Sequence, residues 1–220
     1  GNHFIHGARR NVDMTVVLFN NNIYGMTGGQ ASPMTPLHKK ATTAPYGTVD
    51  RPFDACHLAQ AAGATYVARS TAYHVQHLAD MIAAGFDNNG FSFIEAVVQC
   101  PTAFGRKNKM GSPADMMKWM RDTGVMQAAW EKLPEEKREG KFPIGLLHKS
   151  QAEDYVTAYQ QVIEKFPGSS KFQSAMLKQG MSFYAAGKKD AGRLRLEELV
   201  KKYPTSPEAG RAKKFMQDNK

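Results

Sequence analysis

Apolar residues recur along this chain with two different periods. Met14–Phe19 is a nearly continuous apolar, β-branched run, and Thr65–Arg69 and Phe91–Val98 are shorter runs of the same kind. That pattern predicts strands buried on both faces. Between them the apolar positions spread to a helical period. Phe4, Ile5 and Ala8 read as the tail of a helix within residues 1–12, and Phe53–Ala62 and His74–Phe86 read as helices. Gly63 and Gly90 fall where those helices should stop ahead of a strand. Helix alternating with apolar strand predicts an α/β architecture, doubly wound around a mainly parallel sheet. Ser112-Pro113 followed by Asp115 should start a methionine-rich helix, and Phe142–Leu147 reads as a last strand.

The strand pattern ends near residue 149, and helical spacing takes over. Val162-Ile163-Glu164-Lys165-Phe166-Pro167-Gly168-Ser169 is echoed by Leu199-Val200-Lys201-Lys202-Tyr203-Pro204-Thr205-Ser206. The offset is close to the ~34 residues of helix-turn-helix repeats. Gly187–Ala191 reads as a turn between helices, following the helical pattern of Ala175–Tyr184. The expected organisation is therefore an α/β domain over 1–148 and an all-α helical-repeat module over 149–220. So few repeats bury little surface of their own, so the module should lean on the first domain or on a protein partner.

One loop carries the chemistry. Asn20-Asn21-Asn22-Ile23-Tyr24-Gly25-Met26-Thr27-Gly28-Gly29-Gln30 follows directly on the first strand and opens a long loop over residues 20–50. Loops that long in compact domains are usually functional or disordered. At the carboxyl end of a strand in an α/β sheet, such a loop is where ligands bind. Amide and backbone carbonyl oxygens are hard donors suited to Mg²⁺, and glycines admit a bulky ligand close to the backbone. The residues alone are compatible with half of a metal–diphosphate site and with a plain surface loop of turn formers.

Charge and cysteine content narrow the partners. The net charge of +9 is concentrated in the C-terminal third, where basic residues recur at helical spacing with acids interleaved. These read as solvated helix faces, so nucleic acid is not an expected partner. No apolar run approaches the ~20 residues of a membrane helix, so no membrane span is expected. No secretory pattern opens the chain, which starts at Gly1 rather than Met and is expected to be a fragment or processed product. Of the two cysteines, Cys56 lies among Ala55, Leu58 and Ala59 and reads as a buried core thiol, while Cys100 ends a strand before Pro101, where side chains reach a site.

Gly1-Asn2-His3-Phe4-Ile5-His6, Ala8-Arg9-Arg10-Asn11, the loop Asn20–Gln30 and Ser32-Pro33 together resemble the β-subunit of 2-oxoacid:ferredoxin oxidoreductases, of the 2-oxoglutarate or branched-chain type. The likeness continues through Ala62–Arg69, Gly90–Glu95 and Gln99-Cys100-Pro101-Thr102, and covers roughly residues 1–148. It implies a thiamine-diphosphate-binding domain that works with Mg²⁺, a 2-oxoacid, coenzyme A, a partner α-subunit and ferredoxin, in the cytoplasm. Carried over by position, Asn20 lies in the cofactor loop, Asn21 matches the side-chain Mg²⁺ ligand and Ile23 the backbone-carbonyl ligand. Tyr24, Gly25, Met26 and Thr27 match the segment around diphosphate and thiazolium, with the bulky Met26 suited to holding the cofactor bent. His3 is the histidine nearest the acidic motif of that family and is a candidate for contact with cofactor or substrate. Cys100 matches the last of four cysteines that hold an iron–sulfur cluster.

Two departures shape what the resemblance implies. The family's Gly-Asp-Gly, whose Asp leads the Mg²⁺ ligands, is not found in the 220 residues, nor are the other three cluster cysteines. One thiolate does not hold a [4Fe–4S] cluster, and a Mg²⁺ site of neutral ligands binds weakly. The expectation is a chain inactive by itself. Phe166–Ser170, Gly187-Lys188 with Ala191, and Tyr203–Ala209 resemble the tetratricopeptide repeats of the Tol–Pal-associated cell-division coordinators, a periplasmic family. That likeness implies the alternative function, a protein-interaction scaffold carrying an enzyme remnant, and a periplasmic location if the repeat module dictates it. It also points to a joined reading frame near His148–Gln151.

Overall fold

The computed structural model describes residues 1–219. In chain order it contains α1 (Asn2–Arg9), β1 (Met14–Asn20), α2 (Ala55–Ala61), β2 (Tyr66–Thr71), α3 (Val75–Phe86), β3 (Phe91–Val97), a π-helical turn (Pro101–Gly105), α4 (Pro113–Thr123), β4 (Gly124–Met126), α5 (Gln127–Trp130), a 3-10 turn (Glu135–Lys137), β5 (Phe142–Lys149) and then α6 (Tyr155–Lys165), α7 (Phe172–Ala185), α8 (Lys189–Lys202) and α9 (Pro207–Asp218). The chain divides into two compact units. One comprises residues 15–88 and 92–150, and the other residues 1–14, 89–91 and 151–220.

The first unit is built on a five-stranded sheet in the order β1-β3-β2-β5-β4. β2 and β3 run parallel, with Val67 opposite Phe93 and Arg69 opposite Glu95. Both strands are buried along their whole length, their polar members Arg69, Ser70, Thr71, Ser92 and Glu95 included. β5 runs antiparallel to β2 and parallel to β4, so the sheet is mixed. β1 forms one margin of it, which leaves Phe19 68% exposed. On one face Leu78, Met81 and Ile82 of α3 pack on Tyr66, Ala68 and Ile94. α4 starts in a capping box: Ser112 Oγ accepts from Asp115 N at 3.2 Å, and the Asp115 carboxylate takes Ser112 N at 2.9 Å. Met116 and Met120 on its inner face are buried, so the methionines are packing residues.

The second unit is helical. α7, α8 and α9 share a core of Phe172, Met176, Leu177, Leu196, Leu199 and Ala212. The sequence echo has a structural counterpart. Phe166 and Tyr203 are the C-caps of α6 and α8, with φ/ψ of −134°/54° and −136°/60°. Each donates its N–H to the carbonyl four residues back, Val162 O and Leu199 O. The aromatic-proline pair thus ends a helix in the same way twice. The basic helix faces pair with their own acids, as in Arg193–Glu197 and Arg211–Glu208. α1 belongs to this unit, with Phe4 edge-on to Phe91 at 5.7 Å between ring centres.

Candidate functional site

β1 delivers its C-terminal Asn20 into the loop, and three side-chain hydrogen bonds then shape a tight turn. Asn20 Oδ1 accepts from Asn22 N at 2.9 Å, and Asn21 Oδ1 accepts from Ile23 N at 3.2 Å. Asn and Asp form such turns readily because a short side-chain carbonyl reaches the amide two residues on. Asn22 sits in the left-handed region at φ 63°, and its carbonyl accepts from the buried Thr35 Oγ1 at 2.7 Å. The Ile23 side chain anchors the turn in a small apolar cluster with Ala41, Phe104 and Met116.

Beyond the anchor the loop is knitted to itself. Tyr24 N donates to Gln30 O at 2.9 Å, Gly29 N to Tyr24 O at 3.0 Å, and Thr42 N to Gly29 O at 2.7 Å. Long as it is, residues 20–50 form an ordered platform. A Cβ on Gly25 would come within 3.0 Å of Cys100 Sγ, so the loop meets Cys100 where only glycine fits easily. Asn20 through Thr27 and Cys100 therefore lie together. Tyr24 is half-exposed, and Met26 and Thr27 project into solvent. His3 lies exposed on α1, in the other compact unit.

Cys100 and Cys56 have opposite surroundings. Partial burial works to raise the Cys100 thiol, but the backbone N–H groups of Phe104 and Ala103, with the Thr102 hydroxyl, outweigh it and hold it below the usual thiol range. Those donors come from the π-helical turn that starts at Pro101. Cys56 is fully buried, and desolvation pushes its thiol well up. It is the inert core thiol that its apolar neighbours predict.

Sequence reasoning assigned no role to the charged network beneath the loop. Glu95 and Arg69, both nearly fully buried, face each other across β3 and β2, and Arg69 Nε donates to Glu95 Oε2 at 2.6 Å. Arg69 Nη2 donates onward to Asp54 Oδ1 at 2.9 Å. Glu95 Oε1 accepts from Asn20 Nδ2 at 2.7 Å, and Cys56 Sγ lies 3.4 Å from Oε2. Breaking one partner of a buried pair of this kind costs about 3–5 kcal/mol. Asp54 also caps α2 by accepting from His57 N at 2.9 Å. Burial works to raise its carboxyl, but Arg69 and the His57 N–H prevail and hold it below the usual carboxylate range.

Asp54, Cys56 and Glu95 have ligand atoms within 4.8 Å of one another. The Arg69 guanidinium already takes the place a cation would occupy, and the thiol stays protonated. The cluster is an ion-pair network. Asp54, Arg69 and Glu95 line a cleft of about 510 Å³ with Asn20, Asn22, Lys39 and Trp119. The signal for it was in the strands themselves, since Arg69 and Glu95 are lone charges in apolar runs, and charges are almost never fully buried unless paired. His74 and His77, two histidines without an acidic partner, bond through Nδ1 to Thr71 and Ser70 hydroxyls at 2.8 Å each and are structural.

As a cofactor cradle the loop offers neutral oxygens, Asn21 Oδ1 and Ile23 O, and no acidic side chain between Asn20 and Gln30. Such donors suit Mg²⁺ as the uncharged part of its ligand set. The residues present fit the metal–diphosphate group to that extent.

Residues 1–96 match the thiamine pyrophosphate enzyme C-terminal, TPP-binding domain, and residues 174–206 match a tetratricopeptide repeat. The chain is 57% identical over 145 residues to 2-oxoglutarate synthase subunit KorB of Methanothermobacter marburgensis, covering 66% of this chain and 51% of that protein. It is 49% identical over 165 residues to the same subunit of Methanocaldococcus jannaschii, covering 75% of this chain and 61% of that one. The chain thus spans between half and two thirds of the length of these relatives. Among solved structures it is similar to 2-oxoglutarate:ferredoxin oxidoreductase from Magnetococcus marinus, solved with 2-oxoglutarate, coenzyme A and succinyl-CoA bound. That similarity has a TM-score of 0.63 at 30% identity and covers 80% of this chain and 62% of the other. The N-terminal part is therefore related to β-subunits of 2-oxoacid:ferredoxin oxidoreductases, and the C-terminal part to tetratricopeptide repeats.

Proposed function

We propose that residues 1–148 act as the cofactor-binding part of the β-subunit of a 2-oxoacid:ferredoxin oxidoreductase, with 2-oxoglutarate as the oxoacid. The observation that carries this is the Asn20–Ile23 turn, held at the end of a sheet strand with Asn21 and Ile23 as its donors. The names of the relatives support the choice of oxoacid. Asn21 Oδ1 and the Ile23 carbonyl would hold Mg²⁺, and Tyr24, Gly25, Met26 and Thr27 would flank the diphosphate and thiazolium of thiamine diphosphate. When bound, that cofactor would supply a nucleophilic carbon and an electron sink for decarboxylation of a 2-oxoacid. His3 and Met26 are the proposed catalytic contacts, and Cys100 is the proposed cluster ligand. On this reading the chain works in the cytoplasm and needs an α-subunit, ferredoxin and coenzyme A. The exposed Tyr24, Met26, Tyr46 and Val49 on the platform support a covering partner. No described helix is long and apolar enough to cross a membrane.

Titration calorimetry with thiamine diphosphate and Mg²⁺ tests the proposal. Heat of binding in the wild-type chain that drops at least tenfold in affinity in Asn21→Ala is the expected outcome, about the loss of one metal-ligand interaction. No heat at all removes the enzyme reading. The second reading, a tetratricopeptide scaffold with a protein partner, would then stand on the paired helix ends at Phe166 and Tyr203.

A further inference from the structure

We propose that Glu95, oriented by Arg69, is a positioning residue that fixes Asn20 and through it the Asn20–Ile23 turn. This deepens the reading of that turn as a Mg²⁺-presenting loop and rests on it.

Three donors point at the Glu95 side chain: Arg69 Nε and Cys56 Sγ at Oε2, and Asn20 Nδ2 at Oε1. Only a carboxylate meets donors on both oxygens with no hydrogen of its own. A glutamine would set an N–H₂ against either Arg69 or Asn20. Glu95 and Arg69 are themselves buried, 3% and 7% exposed, so a partner lost from the carboxylate is costly to replace.

Asn20 is the hinge between this network and the turn. Its Nδ2 is held by Glu95, which aims its Oδ1 at Asn22 N. That bond holds Asn22 at φ 63°, a conformation that costs most residues energy unless something pins it. Thr35 pins the same residue through its carbonyl. With Asn22 fixed, Asn21 and Ile23 are presented together. Arg69 serves Glu95 in turn: it is tied to Asp54 at 2.9 Å and cannot swing away.

Amide hydrogen exchange on the full chain without cofactor reads the turn directly. In Glu95→Gln the Asn22 amide should exchange at least about tenfold faster, the equivalent of losing one hydrogen bond to a charged group. Asn20→Ala should do the same. In the double variant exchange should be no faster than in Asn20→Ala alone, because Glu95 acts through Asn20. A merely structural role for Glu95 would instead add its effect and spread it along β2 and β3. Additivity, or unchanged exchange at Asn22, overturns the proposal. Should Glu95→Gln not fold, Glu95→Asp keeps the charge and withdraws the carboxylate from Asn20. The same local loss is expected there, and retained protection at Asn22 overturns the proposal.

Calorimetry adds the cofactor arm: Glu95→Asp should weaken binding of thiamine diphosphate with Mg²⁺ at least about tenfold, for the same lost bond. A wild-type chain that gives no heat speaks against the proposed function. The exchange experiment then decides the positioning role by itself.

Discussion

Asn11 holds a left-handed backbone at φ 47° and is buried among backbone groups. Its Oδ1 accepts from Phe91 N at 2.8 Å, its Nδ2 faces Ala152 O and Glu153 O at 3.1 and 3.3 Å, and its own carbonyl accepts from Tyr155 N. One side chain thus fastens three separate stretches of sequence inside the helical unit. Asn11→Ala loses the side-chain bonds to Phe91, Ala152 and Glu153, keeps the unfavourable φ, and should cost about 2–4 kcal/mol in urea unfolding. Brief iodoacetamide treatment near neutral pH should label Cys100 and spare Cys56, read by mass spectrometry of the peptides. The thiolate is the nucleophile, and only Cys100 has both the donors that favour it and partial exposure.

Between α7 and α8 the helices come into backbone contact. A Cβ on Gly192 would lie 2.7 Å from Gly180 O, a backbone atom that cannot rotate aside. Gly192→Ala should therefore destabilise the helical unit by about 1–3 kcal/mol despite its better helix propensity, measured by the loss of helical circular dichroism in urea. Elements also show what the residue pattern could and could not carry. Ser112, Pro113 and Asp115 announce the start of α4 because capping is local, and Phe166-Pro167 and Tyr203-Pro204 announce helix ends for the same reason. The direction of β5 is not local. Phe142–Leu147 reads as a strand, yet nothing in it says that it runs against β2 rather than along it. β4 has three residues, too few for a period. The candidate site divides similarly. The Asn20–Gln30 loop stands out by composition, whereas Glu95 and Arg69 acquire a role only through the register that sets them opposite each other.

At the scale of the whole chain, compactness and sequence kinship draw different lines. The match to the thiamine pyrophosphate domain runs over residues 1–96, but residues 1–14 and 89–91 cluster with the helices of 151–220. Each unit has its own core, one around Tyr66, Ala68 and Ile94 and the other around Met176, Leu196 and Leu199. Unfolding should not follow a single transition. Trp119 and Trp130, the two tryptophans, both report on the sheet unit, whereas far-ultraviolet dichroism is weighted toward α6–α9. Urea curves from fluorescence and dichroism should have different midpoints, and coincident curves would show that the units unfold as one.

The marginal place of β1 bears on how such a chain behaves in the tube. A margin strand turns one row of backbone donors and acceptors outward, and β1 adds an apolar Phe19 next to them. Two copies meeting along that row could continue each other's sheet. Nothing in Thr15-Val16-Val17-Leu18-Phe19 opposes this, since the run carries neither a charge nor a proline to act as gatekeeper. The strand that leads to the ligand loop is thus also an edge open to pairing, and a sedimentation mass that rises with protein concentration is the expected outcome.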